Sequence, residues 1–139
     1  MKRLLFATPV TALLPSLGLL LFRLFFGAFM LLGHGWGKLM SFGEASATFP
    51  DPLHIGSKLS MGSAVFCEVF CAALVVLGLV TRLAVIPLVF TMGVAAFIVH
   101  GGDALAVKEM ALMYLAAFAL LLFTGPGVFS LDAAIEKRK

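Results

Sequence analysis

The stretch that decides the fold is residues 57–80, SKLSMGSAVFCEVFCAALVVLGLV, in which Glu68 is the only charged residue after Lys58. Its length is close to the roughly 20 residues that a helix needs to cross a hydrocarbon core of about 30 Å. An ionisable side chain at membrane depth is costly, so it normally faces the interior of a helix bundle and has a partner or a task. The stretch therefore predicts a membrane-spanning helix with a buried acid near its middle.

Three further apolar runs of similar length surround this stretch, at residues 15–39, 83–99 and 104–123. Together the four runs predict an all-α fold: a polytopic membrane protein built as a bundle of four transmembrane helices. We expect an interfacial N-terminal lead-in at 1–14, a transmembrane domain at 15–127, and a short basic tail at 128–139. The start of the chain resembles a signal peptide, but no small-x-small cleavage pattern follows its apolar run cleanly, which favours the lead-in.

Composition supports the membrane class and excludes others. Hydrophobic residues make up 62% of the chain and charged residues only 12%, against about 25% charged residues in a soluble domain. Mean hydropathy is +1.12. The surplus of basic residues lies mainly at the two ends of the chain, where such residues set the orientation of membrane proteins. The net charge of +3 therefore gives no indication of nucleic-acid binding, and a lipid bilayer is the expected environment.

The distribution of basic residues predicts the orientation. One side of a four-span chain holds six of them: Lys2, Arg3, Arg82, Lys137, Arg138 and Lys139. The other side holds three: Lys38, Lys58 and Lys108. Cytoplasmic segments carry the excess of Lys and Arg, so both termini are predicted in the cytoplasm. The longest loop, 40–56, is then extracytoplasmic.

Several short motifs resemble a known family. They are Arg23 with Gly27, His34-Gly35-Trp36-Gly37-Lys38, Glu68, Gly78-Leu79-Val80-Thr81-Arg82, Met92 with Ala95, Glu109-Met110-Ala111-Leu112-Met113-Tyr114-Leu115, and Thr124-Gly125-Pro126-Gly127 with Ser130-Leu131-Asp132. In this order and spacing they resemble the DoxX-like family of small four-span bacterial membrane proteins, over about residues 23–132. The resemblance implies a four-helix bundle in a bacterial inner membrane. Some relatives are linked to quinone-dependent sulfur oxidation, and others to membrane assemblies that handle oxidative or thiol stress. The resemblance carries over no catalytic residue by position.

Five buried polar residues form the candidate pocket: Arg23, His34, Lys38, Glu68 and Glu109. At about 100° per residue, the three basic residues among them lie on one face of the first span. Counting along the helices at about 1.5 Å per residue gives two layers. The deeper layer pairs Arg23 with Glu68, and the second places His34 and Lys38 beside Glu109, nearer the outer surface.

Two interpretations of this pocket remain open. The polar residues could be ion pairs that fix which helices pack together. Alternatively, they could form a site for a quinone head group, which needs hydrogen-bond donors and a protonatable neighbour in an apolar cleft. The second interpretation predicts a redox-linked membrane subunit that meets the quinone pool and a soluble oxidoreductase. The alternative is a non-catalytic scaffold or a small-solute transport helper. Enzymatic activity, catalytic residues and homo-oligomerisation stay open.

Two cysteines flank the acid of the second span. Cys67 and Cys71 are four positions apart instead of three, lie mid-span, and sit beside an acid instead of a base. A redox-active pair usually has Cys-x-x-Cys spacing and an electropositive setting, and a helix would strain a disulfide at this spacing. The pattern favours ordinary packing residues over redox chemistry. The histidines at positions 34, 54 and 100 lack metal-ligand spacing, so no metal site is predicted.

Overall fold

The fold is a bundle of helices. The computed structural model describes residues 12–138, and within that range the chain has no strand. Four helices are long and apolar enough to cross a membrane: α1 (Leu13–Met40), α3 (Ser57–Leu77), α4 (Thr81–Val99) and α5 (Leu105–Thr124). Two short helices complete it: α2 (Phe42–Ala45) and α6 (Leu131–Glu136). The predicted all-α class with four spans is confirmed.

The first long helix begins within the stretch 1–14 that the sequence predicts as an interfacial lead-in. Helix α1 starts at Leu13, and residues 1–11 lie outside the described part of the chain. Pro15 does not interrupt α1 because it lies in the first turn, where a backbone N–H has no partner within the helix. Helix α4 likewise continues through Pro87.

The helices follow one another around the bundle. Helix α1 packs on α3, α3 on α4, and α4 along most of its length on α5, which returns to α1. The first pair is antiparallel and very close. A Cβ atom added at Gly27 would lie 2.7 Å from Val76, and one added at Gly35 would lie 2.7 Å from the backbone of Glu68. Glycine is required at both positions because any side chain would force the two helices apart.

Most of the core between the helices is apolar. The largest apolar side chains with no exposed surface are Val75, Val85, Leu88, Phe118 and Leu121. Large apolar side chains also cover the outside of the bundle, with Phe90 61% exposed and Phe123 78% exposed. A helix that is apolar on all sides is typical of a membrane span.

Three of the four spans contain a π-helical segment. These segments are Met30–Gly35 in α1, Phe66–Cys71 in α3 and Ala95–Val99 in α4. The first two pack against each other where Gly35 meets Glu68. π-helical turns are rare and frequently occur at functional sites. We therefore expect a functional site at this level of the bundle.

The two ends of the bundle are built differently. We call the end formed by residues 78–82 and 125–138 the tail end, and the end formed by residues 41–56 and 100–104 the loop end. At the tail end, Gly78 and Val80 have positive φ values of 66° and 42°, which turn the chain sharply from α3 into α4. At the start of α6, the Ser130 hydroxyl accepts a hydrogen bond from the N–H of Ala133 at 3.2 Å. Ser130 therefore caps the N-terminus of α6.

Candidate functional site

An ion pair joins the first two spans. Lys38 Nζ lies 2.6 Å from Oε1 and 2.5 Å from Oε2 of Glu68. The Glu68 side chain is only 4% exposed, whereas that of Lys38 is 30% exposed. A protonated amine has three N–H donors, and Glu68 accepts two of them. One donor of Lys38 therefore remains for another partner.

Close contact between the helix backbones makes this ion pair possible. Gly35 touches the backbone of Glu68, and Lys38 follows Gly35 by three residues, so the two side chains meet almost directly above that contact. Glu68 belongs to the π-helical segment of α3, and Lys38 comes three residues after the end of the π-helical segment of α1. A side chain at position 35 would separate the two helices and pull the charged groups apart.

The ion pair forms part of the wall of a cavity. The cavity has a volume of about 300 Å³ and lies between α3 and α4, under the loop at the loop end. Its polar wall consists of Lys38, Ser60, Ser63, Cys67, Glu68, Thr91 and His100. The rest of its wall is apolar: Phe49, Pro50, Pro52, Leu53, Ile55, Ala64, Pro87, Phe90, Met92, Val94, Ala95 and Val99.

The loop over the cavity is held by one carboxylate. Asp51 accepts hydrogen bonds from the Ser60 hydroxyl at 2.6 Å, the Gly56 N–H at 2.8 Å and the Ile55 N–H at 3.0 Å. These bonds, that of Ser60 above all, hold the pKa of Asp51 below its ordinary value, because they stabilise the ionised form. Since Ser60 lies in α3, Asp51 ties the loop to a helix that lines the cavity.

Of the remaining sequence-predicted site residues, His34 and Glu109 are not part of the cavity wall. The His34 ring packs edge-on against Tyr114 of α5, with centroids 5.3 Å apart, and Tyr114 in turn contacts Phe26 and Phe118. Glu109 is exposed on α5. The predicted layer of His34 and Lys38 beside Glu109 is therefore wrong, since Lys38 bonds to Glu68 instead.

The predicted Arg23–Glu68 pair is also wrong. Arg23 is fully buried, but its guanidinium donates to the carbonyls of Val75 and Val76, both at 3.2 Å, and to that of Phe129 at 2.5 Å. Arg23 does not reach Glu68 because the two residues lie at different levels along the axis of α1. Arg23 precedes Gly35 by twelve residues, which places it about 18 Å along α1 from the level of Glu68.

Arg23 belongs instead to a cluster that joins the helix ends at the tail end. The carbonyls of Val75 and Val76 lie in the last turn of α3, where helix carbonyls have no partner within the helix. Arg82 serves α5 in the same way, donating to the carbonyl of Phe123 at 3.1 Å. Cationic groups at helix C-termini also complement the helix dipole. Both buried arginines thus have a structural role.

Asp132 completes this cluster at the start of α4. Its carboxylate accepts from the N–H groups of Val80 at 2.7 Å and Thr81 at 2.9 Å, and its own N–H donates to the carbonyl of Gly78 at 2.9 Å. A carboxylate at a helix N-terminus satisfies free donors and complements the dipole. The closing sequence motif is therefore a clamp that fastens the chain after α5 onto the turn between α3 and α4.

The two cysteines are free and buried. Cys67 lies in the cavity wall, and Cys71 lies on the same π-helical segment. Among residues 12–138 no group of three potential ligands is arranged for a metal ion.

Sequence reasoning assigned no structural role to three residues that have specific partners in the structure. Tyr114, Asp132 and Arg82 all stand in the motifs given above, and Arg82 was otherwise counted only for the orientation. A tyrosine inside an apolar span was the available signal for Tyr114, because a buried phenol usually has a specific environment. For Asp132 the signal was its place two residues after a capping serine, at the start of a short helix. The tertiary partner of Arg82 leaves no trace in the local sequence.

Comparison with known families agrees with this architecture. The family model described as DoxX matches residues 18–101, which is more than half of the chain and includes both residues of the ion pair. The chain belongs to the DoxX family. As a DoxX protein with four apolar helices it is a multi-pass membrane protein. The matched region contains the whole of the cavity wall, whereas Asp132 lies beyond it. No curated protein and no solved structure matches the chain.

Proposed function

We propose that this DoxX protein binds the head group of a lipid-soluble quinone in the cavity at the loop end, as the membrane subunit of a redox system. The observation that carries the proposal is the Lys38–Glu68 pair in the wall of an otherwise mostly apolar cavity. The volume of about 300 Å³ lies at the lower end of the range for small-molecule pockets, about 300–1,000 Å³. A ring-sized head group fits such a space, with the quinone tail in the bilayer.

The chemistry of the ion pair suits a quinone. The third N–H of Lys38 can donate to one quinone oxygen, and the hydroxyl of Thr91 lies in the same wall for a second polar contact. When a quinone is reduced, its oxygens gain protons. Glu68 and Lys38 form a proton-exchanging pair beside that position, since a carboxylate and an amine can pass protons in a low-dielectric site.

The proposal includes an orientation and a partner. The six-to-three distribution of basic residues supports a tail end in the cytoplasm of a bacterial inner membrane, and hence a cavity in the outer half of the bilayer. A soluble oxidoreductase is the partner that would supply electrons, as the family resemblance suggests.

A second candidate is a non-catalytic scaffold or small-solute transport helper, and one observation favours it. Gly35 and Glu68 are in backbone contact, so the ion pair above them could serve only to fix the register of α1 against α3. Buried ion pairs are often retained for such specificity. Quinone binding separates the two candidates.

The direct experiment is quinone binding by the purified protein in lipid nanodiscs. Decylubiquinone should raise the thermal stability in a saturable way, because a ligand that binds only the folded state stabilises it by about 2.7 kcal/mol at 100 times its Kd. We expect Lys38→Met to weaken this binding at least tenfold. Lys58→Met is the matched control, because Lys58 is an exposed lysine in the first turn of α3 and outside the cavity wall. Equal binding by both variants, or no saturable binding at all, would favour the scaffold.

A further inference from the structure

Two nucleophilic groups beside the cavity have no role in the proposed quinone site. Cys67 is 7% exposed and Cys71 is 3% exposed, and Cys67 forms part of the cavity wall immediately before Glu68. Cys67 shares that wall with Thr91 of α4, and both cysteines belong to the π-helical segment Phe66–Cys71.

The π-helical segment brings Cys67 and Cys71 closer together than an α-helix would, which favours a disulfide between them. In an α-helix, residues four apart have Cβ atoms about 5–6 Å apart, more than the roughly 3.5–4.5 Å that a disulfide allows. Both cysteines lie in the π-helical segment Phe66–Cys71, where the backbone bonds run from residue i to i+5. Such a turn contains more residues and rises less for each of them, so residues four apart come closer together along the axis.

We propose that Cys67 and Cys71 form a redox-active dithiol that reduces the quinone bound in the cavity. This inference rests on the proposed quinone site. In the reaction, both S–H bonds break and one S–S bond forms between the two cysteines. The two electrons and two protons pass to the two oxygens of the quinone, which leaves as hydroquinone. The dithiol is oxidised and the quinone is reduced, with one disulfide formed for each hydroquinone.

The positions of the two cysteines assign them different parts. Cys67 lines the cavity and is the sulfur that meets the quinone, whereas Cys71 lies on the same π-helical segment outside the cavity wall and closes the disulfide. Lys38 and Glu68 share the cavity wall with Cys67 and can exchange protons with the quinone oxygens as the electrons move. The dithiol therefore makes the cavity a site of electron transfer as well as binding.

The test uses the purified, fully reduced full-length protein in nanodiscs and decylubiquinone. The ring of this quinone is fully substituted, so a thiol cannot add to it permanently. After incubation the protein is unfolded and treated with N-ethylmaleimide, and its mass is measured by intact-protein mass spectrometry. We expect two maleimides on the untreated protein and none on the quinone-treated protein, whose mass falls by two hydrogens. Hydroquinone should appear in equal molar amount.

Two variants provide the controls. Cys67→Ser and Cys71→Ser should each bind the quinone and keep one alkylatable thiol after incubation, with no hydroquinone formed. Diamide, a general thiol oxidant, should close the disulfide in the unchanged protein without quinone. If diamide cannot close it, the geometry is wrong and the inference fails.

The outcomes separate this inference from the proposed function. Saturable quinone binding with two alkylatable thiols remaining would overturn the dithiol and leave the quinone site intact. No quinone binding would overturn both. Loss of both thiols with release of one hydroquinone for each protein would support both.

Discussion

The guanidinium of Arg23 lies directly against Gly78, in the space that a side chain at position 78 would need. Gly78 also has a φ of 66°, a conformation that costs other residues about 1–2 kcal/mol. The position of the Arg23 side chain therefore requires a glycine at position 78. Their contact brings the guanidinium to the carbonyls of the last turn of α3.

The first prediction concerns this contact. Gly78→Ala should lower the free energy of unfolding by about 3 kcal/mol, since backbone strain adds to overpacking against Arg23. The measurement is thermal unfolding of the purified protein in detergent. Gly18→Ala is the control. Gly18 is also a helix glycine but has nothing within 4 Å of an added Cβ, so we expect a gain of up to about 1 kcal/mol there. Similar loss in both variants would contradict the contact.

The second prediction concerns the clamp at the tail end. Asp132→Asn should lower stability by about 1–2 kcal/mol, because an amide offers one acceptor oxygen where the carboxylate offers two to Val80 and Thr81. Glu44→Gln removes a charge from the exposed surface of α2 and should change stability little. The measurement is a denaturation curve for each variant in the same detergent. If the curve of Asp132→Asn superimposes on that of the unchanged protein, the result argues against the clamp.

The third prediction separates the true ion pair from the one expected from sequence. Lys38→Met or Glu68→Gln alone should cost about 2 kcal/mol, and the double variant should recover part of that loss, because an unpaired buried charge is the expensive state. Arg23→Leu combined with Glu68→Gln should instead be additive, since residues more than about 10 Å apart rarely couple. A double-mutant cycle on unfolding free energies measures both. Coupling between Arg23 and Glu68 would reverse this assignment.

The sequence predicts the fold well because hydropathy alone defines membrane spans. It predicts the site only in part. Lys38 and Glu68 were both recognised as buried site residues, but each was assigned to another partner. Their true pairing depends on how α1 is placed along α3, and that placement is fixed by a backbone contact at Gly35. Counting depth within each span separately cannot detect it. The domain limits drawn from the sequence remain predictions.

The fourth prediction concerns the loop over the cavity. Hydrogen bonds lower the pKa of Asp51 in the folded protein, so their stabilising effect is complete above the ordinary value of about 3.9 and is lost as the pH falls through the lowered pKa. A spin label at position 53 in a cysteine-free background should therefore become more mobile below about pH 4. Asp51→Asn should make the label mobile already at neutral pH. A label that is no more mobile in Asp51→Asn than in the unchanged protein at neutral pH would show that Asp51 does not hold the loop.

The fifth prediction concerns orientation. A reporter that is active only in the cytoplasm should work when fused after Lys139 and should fail when inserted beside Pro50. The basis is the six-to-three count of basic residues on the two sides. The opposite pattern would place the cavity in the inner half of the bilayer.

The central claim is that the cavity beside Lys38 and Glu68 binds a quinone head group. Photolabelling with an azidoquinone, followed by peptide mapping, tests it most directly. The account predicts labelling of the α3 segment 60–68 and the α4 segment 87–95, which face each other across the cavity, and loss of that labelling when decylubiquinone is added in excess. Labelling confined to lipid-facing residues elsewhere, unchanged by excess quinone, would contradict it.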